Sequence, residues 1–424
     1  MQLLTNKNIL VAATGSIAVY KTLELIRLYV KAGANVKVIL TQSAKKFVTP
    51  LAFETISQHN ILDDTNENWN KDSIDNHIAI GKWADIFVLA PVTANTINKL
   101  ANGISDNILL ETALAYPRIK LLCPAANTNM INNPITKENL QKLKRSNFKI
   151  IKSQVKELAC RDIGNGAMAD VEDIYHATLR ELLTDGYWLN RKVVLTGGGT
   201  IEKIDDVRYL SNFSSGKMAS SLATALYYKG ADVCLITTTN SDIPKEIHTI
   251  TVKTTQEMFQ YTQNSIRLAR EGKITSTSTI HEDEMEFILK KPYFFSVAAV
   301  SDFVPTFTQK GKLKKETLGN SWDLKLSKNI DILKDIDKKG IYTVGFKAEM
   351  DKITAEENAQ NMLINKNIDA VCLNIIDEKN TFGSNTNEIN LITKNTNILL
   401  KKDTKLIVSF HILDNLKDTF AEQS

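Results

Sequence analysis

The stretch VVLTGGGTIEKIDDVRYLSNFSSGKM, Val193 to Met218, decides how the chain is read, because it starts a nucleotide-binding unit in the middle of the sequence. The run Val193, Val194, Leu195, Thr196 predicts a strand that leads into Gly197, Gly198 and Gly199, where backbone amides can approach an anion without side-chain hindrance. A mostly polar run then delays the expected helix until SSGKMASSLATALYYKG, which carries small and apolar residues at helical spacing with Ser214 or Ser215 as the expected cap. Two backbone anion sites are therefore expected close together. The stretch is not a P-loop, since Ser211 stands where the first glycine is required and Met218 where Ser or Thr is required. Nor is it a dinucleotide fingerprint, whose glycine turn opens straight into a helix. On local chemistry the glycines also read as a plain turn.

The 424-residue chain is long enough for two or three domains with separate cores. A net charge of +4 over that length is too small to indicate nucleic acid, and no apolar run approaches the length of a bilayer crossing. The N-terminal MQLLTNKNILVAATGS lacks the pattern of a signal peptide and reads as the start of the first strand, so a cytoplasmic location is expected. Cys123, Cys234 and Cys372 lie in or beside strand-like apolar runs and are expected to be buried, whereas Cys160 lies in a polar, glycine-containing loop. The absence of a CxxC pair argues against a zinc site or a disulfide framework.

Upstream, strand-like runs at Asn8–Ala12, Val36–Leu40, Ile86–Ala90 and Lys120–Cys123 alternate with helix-like segments, the rhythm of a parallel α/β sheet. Ligands of such sheets bind at the carboxyl ends of the strands, which points to the loops 12–21, 40–47, 90–103 and 123–134. Gly15 and Ser16 can offer amides and a hydroxyl to a phosphate, with a helix expected from about Ile17. Thr41 and Ser43 stand after the second strand, where a nicotinamide cofactor would want a carboxylate. Downstream of a helix expected over Val171–Leu183, a boundary near residue 187 divides the chain into 1–187 and 188–424. The second part repeats the rhythm at Val233–Ile236, Tyr293–Val297, Tyr342–Phe346 and Ala370–Leu373, followed by a hairpin over Ile389–Leu400 and an apolar-rich segment from Lys405 to Leu413. A polar stretch at Gly272–Glu284 reads as a solvent loop.

GSIAVYK, HIAIGKWADIFVLAPVTANTINKLANGISDNIL (77–109), PAANTNM and LACRDIGNGAMAD (158–170) resemble the flavin mononucleotide-dependent cysteine decarboxylases. Together with DDVRYLSNFSSGKM (205–218), AAVSDF (298–303), KLKK (312–315), SKNIDIL (327–333), VGFKAE (344–349) and NKNIDAVCLN (365–374), the chain resembles the bifunctional phosphopantothenoylcysteine decarboxylase and phosphopantothenate–cysteine ligase family of bacterial coenzyme A synthesis. The resemblance implies two Rossmann-like α/β domains, a flavodoxin-like flavoprotein domain followed by a CTP-binding ligase domain. In the first, it implies FMN held by Gly15, Ser16, Thr41, Ser43, Thr93 and Asn95. His77 is then the active-site histidine, Asn127 contacts the substrate carboxylate, and Cys160 protonates an enethiol. Decarboxylation of a cysteine carboxylate needs an electron sink, and the flavin supplies it by oxidising the thiol to a thioaldehyde. Taken singly, His77 also reads as a cap or core residue, and Asn127 as a turn residue. Two departures bear on the substrate arm: Ala126 and Ile131 replace a Met and a Trp usual in PAMN–MW, and Ala167 replaces the arginine of a usual GRM.

For the second domain the resemblance implies that the carboxylate of 4′-phosphopantothenate attacks the α-phosphate of CTP, after which the amine of cysteine displaces CMP. Carboxylate and triphosphate repel, so fixed cations and a divalent metal, Mg2+, are expected, with no metal ligand assigned. Lys312 matches the lysine implicated in acyl-cytidylate formation and Asn212 the asparagine implicated in its conversion. By itself KGKLKK reads as a solvated basic loop. Gly198, Ala298, Asp302, Lys312, Asn329, Asp331, Ile332, Phe346 and Lys366 are placed around CTP. Here Ile330 replaces a usual proline, Met362 a usual lysine, and Ile201 a usual arginine, changes that bear on nucleotide affinity and selectivity. Two other classes of function stand beside this one: a flavin or nicotinamide oxidoreductase with a degenerate second domain, and a non-catalytic flavin-binding regulatory subunit. The resemblance further implies trimeric flavin domains and dimeric ligase domains, together a dodecamer.

Overall fold

The computed structural model describes residues 2–70, 73–157, 163–240, 242–275, 289–314, 321–377, 381 and 383–421. The chain divides into two compact units, Met1–Leu183 and Thr184–Ser424. The division falls just before the expected boundary, because Asp185 accepts from Lys417 Nζ at 2.6 Å and Tyr187 meets Tyr293 hydroxyl to hydroxyl at 2.6 Å, binding both into the second unit. Among the described residues no helix is long and apolar enough to cross a membrane.

In the first unit β1 (Asn8–Ala13), β2 (Asn35–Leu40), β3 (Ile86–Val92), β4 (Lys120–Pro124) and β5 (Phe148–Ile150) form a parallel sheet in the order β2-β1-β3-β4-β5. The central strands are apolar along their whole length because both faces are covered. Their side chains, among them Leu10, Phe87, Leu89 and Leu122, form one core with Tyr116 and Leu143. The covering helices are α1 (Val19–Lys31), α2 (Pro50–Ser57), α3 (His77–Trp83), α4 (Ala94–Ala101), α5 (Ile108–Ala115), α6 (Thr128–Asn132), α7 (Pro134–Lys144) and α8 (Val171–Leu183). Several begin on local caps: Asn76, Thr93 and Asn107 each accept the amide three residues on, and Asn133 precedes a proline at the first turn of α7. Outside the sheet, β6 (Gln154–Glu157) and β7 (Ile163–Ala167) form an antiparallel ribbon.

In the second unit β8 (Lys192–Gly197) is followed by a small ribbon, β9 (Ile201–Lys203) and β10 (Tyr209–Ser211), within the stretch read as a polar delay. Next come α9 (Lys217–Tyr228), β11 (Asp232–Thr237), β12 (His248–Thr251) and α10 (Thr255–Arg270), the last opened by a Thr254/Glu257 capping box. β13 (Tyr293–Ser296), a second ribbon of β14 (Phe303–Pro305) and β15 (Leu326–Lys328), β16 (Tyr342–Glu349), β17 (Ala370–Ile375), β18 (Thr386–Thr393) and β19 (Asn397–Thr404) complete the strands. The main sheet runs β12-β11-β8-β13-β16-β17-β18-β19, parallel until the terminal hairpin, which pairs antiparallel. The segment from Lys405 forms a helix to Phe420. Of the polar stretch 272–284, residues 276–284 lie outside the described residues, as does Cys160.

Candidate active sites

The strand orders place a switch point between β1 and β3 in the first unit and between β8 and β13 in the second, the crevices where open α/β sheets bind ligands. In the first unit Thr14 spans that crevice: its hydroxyl donates to Pro91 O at 2.9 Å and accepts from Thr93 N at 2.9 Å. Gly15 lies so close to the loop after β2 that an added Cβ would stand 2.4 Å from Ser43 Cβ. Gly15, Ser16, Thr41, Ser43 and Thr93 thus occupy the loops after three adjacent strands, with Asn95 in the first turn of α4. Glycine at position 15 lets the loops after β1 and β2 pack this closely.

A cavity of about 520 Å³ opens beside this crevice and includes Ser16, Lys21, Ala126, Asn127, Ala167 and Met168 in its walls. Ala126 and Ala167 contribute only short side chains to these walls. Asn127 caps α6 by accepting from Asn129 N at 2.9 Å. The ribbon strand β7 crosses this loop at a glycine: Ala126 N donates to Gly166 O at 3.1 Å, and a Cβ on Gly166 would stand 1.8 Å from Ala126 O. Glu157, at the end of β6, also faces the cavity.

His77 is not in that wall. It is the first residue of α3, and its Nδ1 lies 2.8 Å from Glu67 Oε1 and 3.6 Å from Glu111 Oε2. Glu67 Oε1 also accepts the His77 amide at 3.2 Å, and Trp69 packs edge-on against the imidazole with centroids 5.2 Å apart. Donor atoms of Glu67, His77 and Glu111 all fall within 4.8 Å of one another, and the 2.8 Å from Nδ1 to Glu67 Oε1 is a hydrogen-bond separation. Neither glutamate stood out in the sequence, because each is separated from His77 by loop or helix.

In the second unit the backbone after β8 and the start of α9 rest on one support. A Cβ on Gly198 would stand 2.1 Å from Thr238 Oγ1, and one on Gly216 2.3 Å from Thr239 Oγ1. Both glycines are left-handed, at φ 81° and 71°. The expected serine cap of α9 is therefore corrected: Gly216 holds the cap position, with no side-chain bond, because the chain turns there through positive φ. Across the switch point Ala299 N donates to Gly198 O at 2.9 Å and Thr200 N to Ala299 O at 3.3 Å. Asn212 Nδ2 donates to Val300 O at 3.0 Å. Thr200 Oγ1 accepts from Ser301 N and Thr255 Oγ1, both at 3.1 Å, and Asn329 Nδ2 donates to Thr255 Oγ1 and Ser301 O.

A cavity of about 200 Å³ adjoins this network and brings together Gly198, Ala298 and Phe346 with Gly216, Lys217 and Lys405. Burial, then the neighbouring Lys217, pushes the Lys405 ammonium below its ordinary pKa. Lys217 reaches the Gly383 carbonyl and Asn385 Oδ1 at 2.9 and 2.8 Å. Asp302, Asn329, Asp331, Ile332 and Lys366 do not line this cavity. Asp331 and Lys366 form an ion pair at 2.8 Å, and the Ile332 side chain packs in the core. Met362 fills the space over Gly345, with its Cε 2.7 Å from where a Cβ would stand. Lys312 is exposed on the loop after β14. The thiols of Cys123, Cys234 and Cys372 are buried, and desolvation raises all three, Cys234 to about 11. They are inert at neutral pH.

Residues 2–183 match the Flavoprotein family, and residues 188–270 and 267–420 match the family described as DNA/pantothenate metabolism flavoprotein C-terminal domain. The chain is 36% identical over 424 residues to the coenzyme A biosynthesis bifunctional protein CoaBC of Bacillus subtilis (strain 168), covering 98% of this chain and 97% of that one. It is 35% identical over 394 residues to the protein of the same name from Borreliella burgdorferi, covering 92% and 93%. A solved PPC decarboxylase complexed with pantothenoylaminoethenethiol is 36% identical at a TM-score of 0.38, covering 42% of this chain and 97% of that chain. Matches extend over both units, which disfavours a degenerate second domain.

Proposed function

The chain belongs to the family of coenzyme A biosynthesis bifunctional proteins and is an enzyme with a decarboxylase half and a ligase half; from that premise we propose the substrates and residue roles that follow. The second unit joins cysteine to 4′-phosphopantothenate at the expense of CTP with Mg2+, and the first unit decarboxylates the product to 4′-phosphopantetheine with FMN. The observation that carries this is convergence. Gly198, Thr200, Asn212, Ser301 and Asn329, from four separate motifs, meet in one hydrogen-bonded crevice at the switch point.

When bound, the flavin supplies the electron sink that loss of carbon dioxide requires. Gly15 and Ser16, on the loop packed against Ser43, hold its phosphate end. Asn127, held at the start of α6 by the Asn129 amide, binds the substrate carboxylate. His77, oriented by Glu67 at Nδ1, turns Nε2 to the proton-transfer role. Cys160 acts as proton donor to the enethiol. In the second unit Lys312 offsets the charge of carboxylate and α-phosphate as they meet, and Asn212 serves the displacement of CMP by the amine. Lys217 and Lys405 add positive charge to the cavity that receives the phosphates. We further propose a cytoplasmic homo-oligomer, trimeric through the flavin unit and dimeric through the ligase unit.

Pure protein incubated with phosphopantothenate, CTP, Mg2+ and cysteine is expected to release CMP and pyrophosphate and then carbon dioxide, leaving phosphopantetheine. Amide that accumulates without decarboxylation defeats the flavin half; cysteine left unconsumed defeats the ligase half. Light scattering that returned a monomer would remove the assembly.

A further inference from the structure

The loop that carries Lys312 is held on both sides by a turn more than a hundred residues away in the sequence. Asp206 Oδ2 accepts from Gly311 N at 2.7 Å, and Asp205 Oδ2 accepts from Leu313 N at 3.1 Å. Arg208 Nη2 donates to Leu313 O at 2.9 Å. One step earlier along the loop, Gln309 N donates to Ile204 O at 3.0 Å. The residues before and after Lys312 are thus fixed through their main chain, while the lysine side chain is exposed.

The turn is itself over-determined. Asp205 Oδ1 accepts from Val207 N at 2.8 Å and Arg208 N at 2.7 Å, and its Oδ2 takes Arg208 Nε at 3.0 Å and Nη2 at 2.6 Å. The Asp205 side chain has 0% exposure. Charge-assisted bonds of this kind are stronger than neutral ones. The Arg208 guanidinium also lies over the Trp322 ring, 5.2 Å from its centroid. Immediately beyond Arg208 the chain pairs β10 with β9 and reaches Asn212, which is anchored to Val300 O. One short segment therefore holds both the asparagine and the lysine to which the two steps of the ligation are assigned.

A surface turn needs no such arrangement: Asp205 alone would satisfy its own amides, and Asp206 would face water. Here each acid reaches a different neighbour of Lys312. A long lysine on an untethered loop loses backbone and rotamer freedom when it meets a triphosphate, and a loop fixed in advance avoids much of that loss. We propose that Asp205, Asp206 and Arg208 form a clasp that sets the Lys312 ammonium relative to Asn212, and are positioning residues for nucleotidyl transfer. In that step a carboxylate oxygen forms a bond to the α-phosphorus of CTP while the bond to pyrophosphate breaks. The proposal rests on the ligase reading above.

The test uses the full chain with Asp205→Asn and Asp206→Ala, each alone and in a Lys312→Ala background. Asp205→Asn is expected to lower kcat for CMP release by about 10- to 100-fold and Asp206→Ala by about 3- to 10-fold, with the KM for CTP within about 3-fold. Neither should lower the residual rate of Lys312→Ala further. Decarboxylation of supplied phosphopantothenoylcysteine reports that each variant is intact. Hydrogen–deuterium exchange without substrate should show Gly311 and Leu313 amides exchanging at least about 10-fold faster in both single variants. Equal losses in the two backgrounds, or unchanged exchange, would overturn the clasp. A wild type that releases no CMP, yet shows the exchange difference, would instead overturn the ligase reading and leave the clasp a purely structural device.

Discussion

In the first unit the loops at the switch point join local caps, Thr93 toward Thr96 and Asn127 toward Asn129, to a few long-range bonds, Thr14 to Pro91 and Thr93, and Ala126 to Gly166. In the second, the corresponding loops are held by side chains far away, Asn329 to Thr255, Thr200 to Ser301, and Asp205 to Leu313. The loops of the first unit therefore take part of their shape from their own caps and part from single crossings such as Ala126–Gly166, whereas those of the second depend mainly on distant side chains. A local device fails alone; a distributed one fails through its partners.

The largest expected effect breaks the first side of this contrast. Gly166→Ala places a Cβ 1.8 Å from the Ala126 carbonyl, so the ribbon must leave the Asn127 loop. Carbon dioxide release should fall at least about 100-fold while CMP release persists, since the strain is confined to one crossing. Next, Glu67→Ala removes the acceptor at His77 Nδ1 and should lower decarboxylation about 10-fold, the scale of one lost hydrogen bond. Glu67→Gln, which keeps an acceptor oxygen, should recover part of that rate in a carbon dioxide assay.

A smaller effect concerns Lys120, which is buried, donates to Tyr116 O at 2.7 Å, and sits 4.8 Å over the Phe148 ring. Desolvation lowers its pKa to about 8, so the folded state resists protonation and gains stability as pH rises from about 8 toward the unfolded lysine value near 10.4. Lys120→Met should raise the first thermal midpoint by a few degrees at pH 7, about 1 kcal/mol, and the gain should shrink by pH 10. The smallest expected effect sharpens the second side of the contrast. The Arg208 guanidinium beside Asp205, with the amides of Val207, Arg208 and Leu313, holds its carboxyl well below the usual range. A depressed carboxylate contributes stability above its unfolded value and loses it only as pH falls through the lower folded one. The exchange rate at Leu313, corrected for intrinsic chemistry, should therefore be flat from pH 5 to 8 in wild type.

The same contrast explains what could be read in advance. Strands β1, β3 and β8 were legible because fully apolar runs followed by glycine or threonine loops have few other interpretations. The cap of α9 was misread because Ser214 and Ser215 are good caps by type, while the choice of Gly216 is made by Thr239 pressing from another loop. Residues 201–211 looked like polar delay because each strand of their ribbon is three residues long and pairs only with the other. Neither Glu67 beside His77 nor Asp205 beside Leu313 carries a periodic or motif signal, since each contact exists only after distant segments meet.

The entry and exit of the second unit are tied together: Tyr187 reaches Tyr293 and the Phe420 carbonyl, Lys417 reaches Asp185, and Phe420 stacks on Tyr342 with centroids 4.9 Å apart. Severing the polypeptide after Leu183 would leave this knot whole, because every contact in it lies within the second unit. Trimming a few residues from its far end would instead loosen the very point at which it begins, making the tail a fastening rather than an appendage.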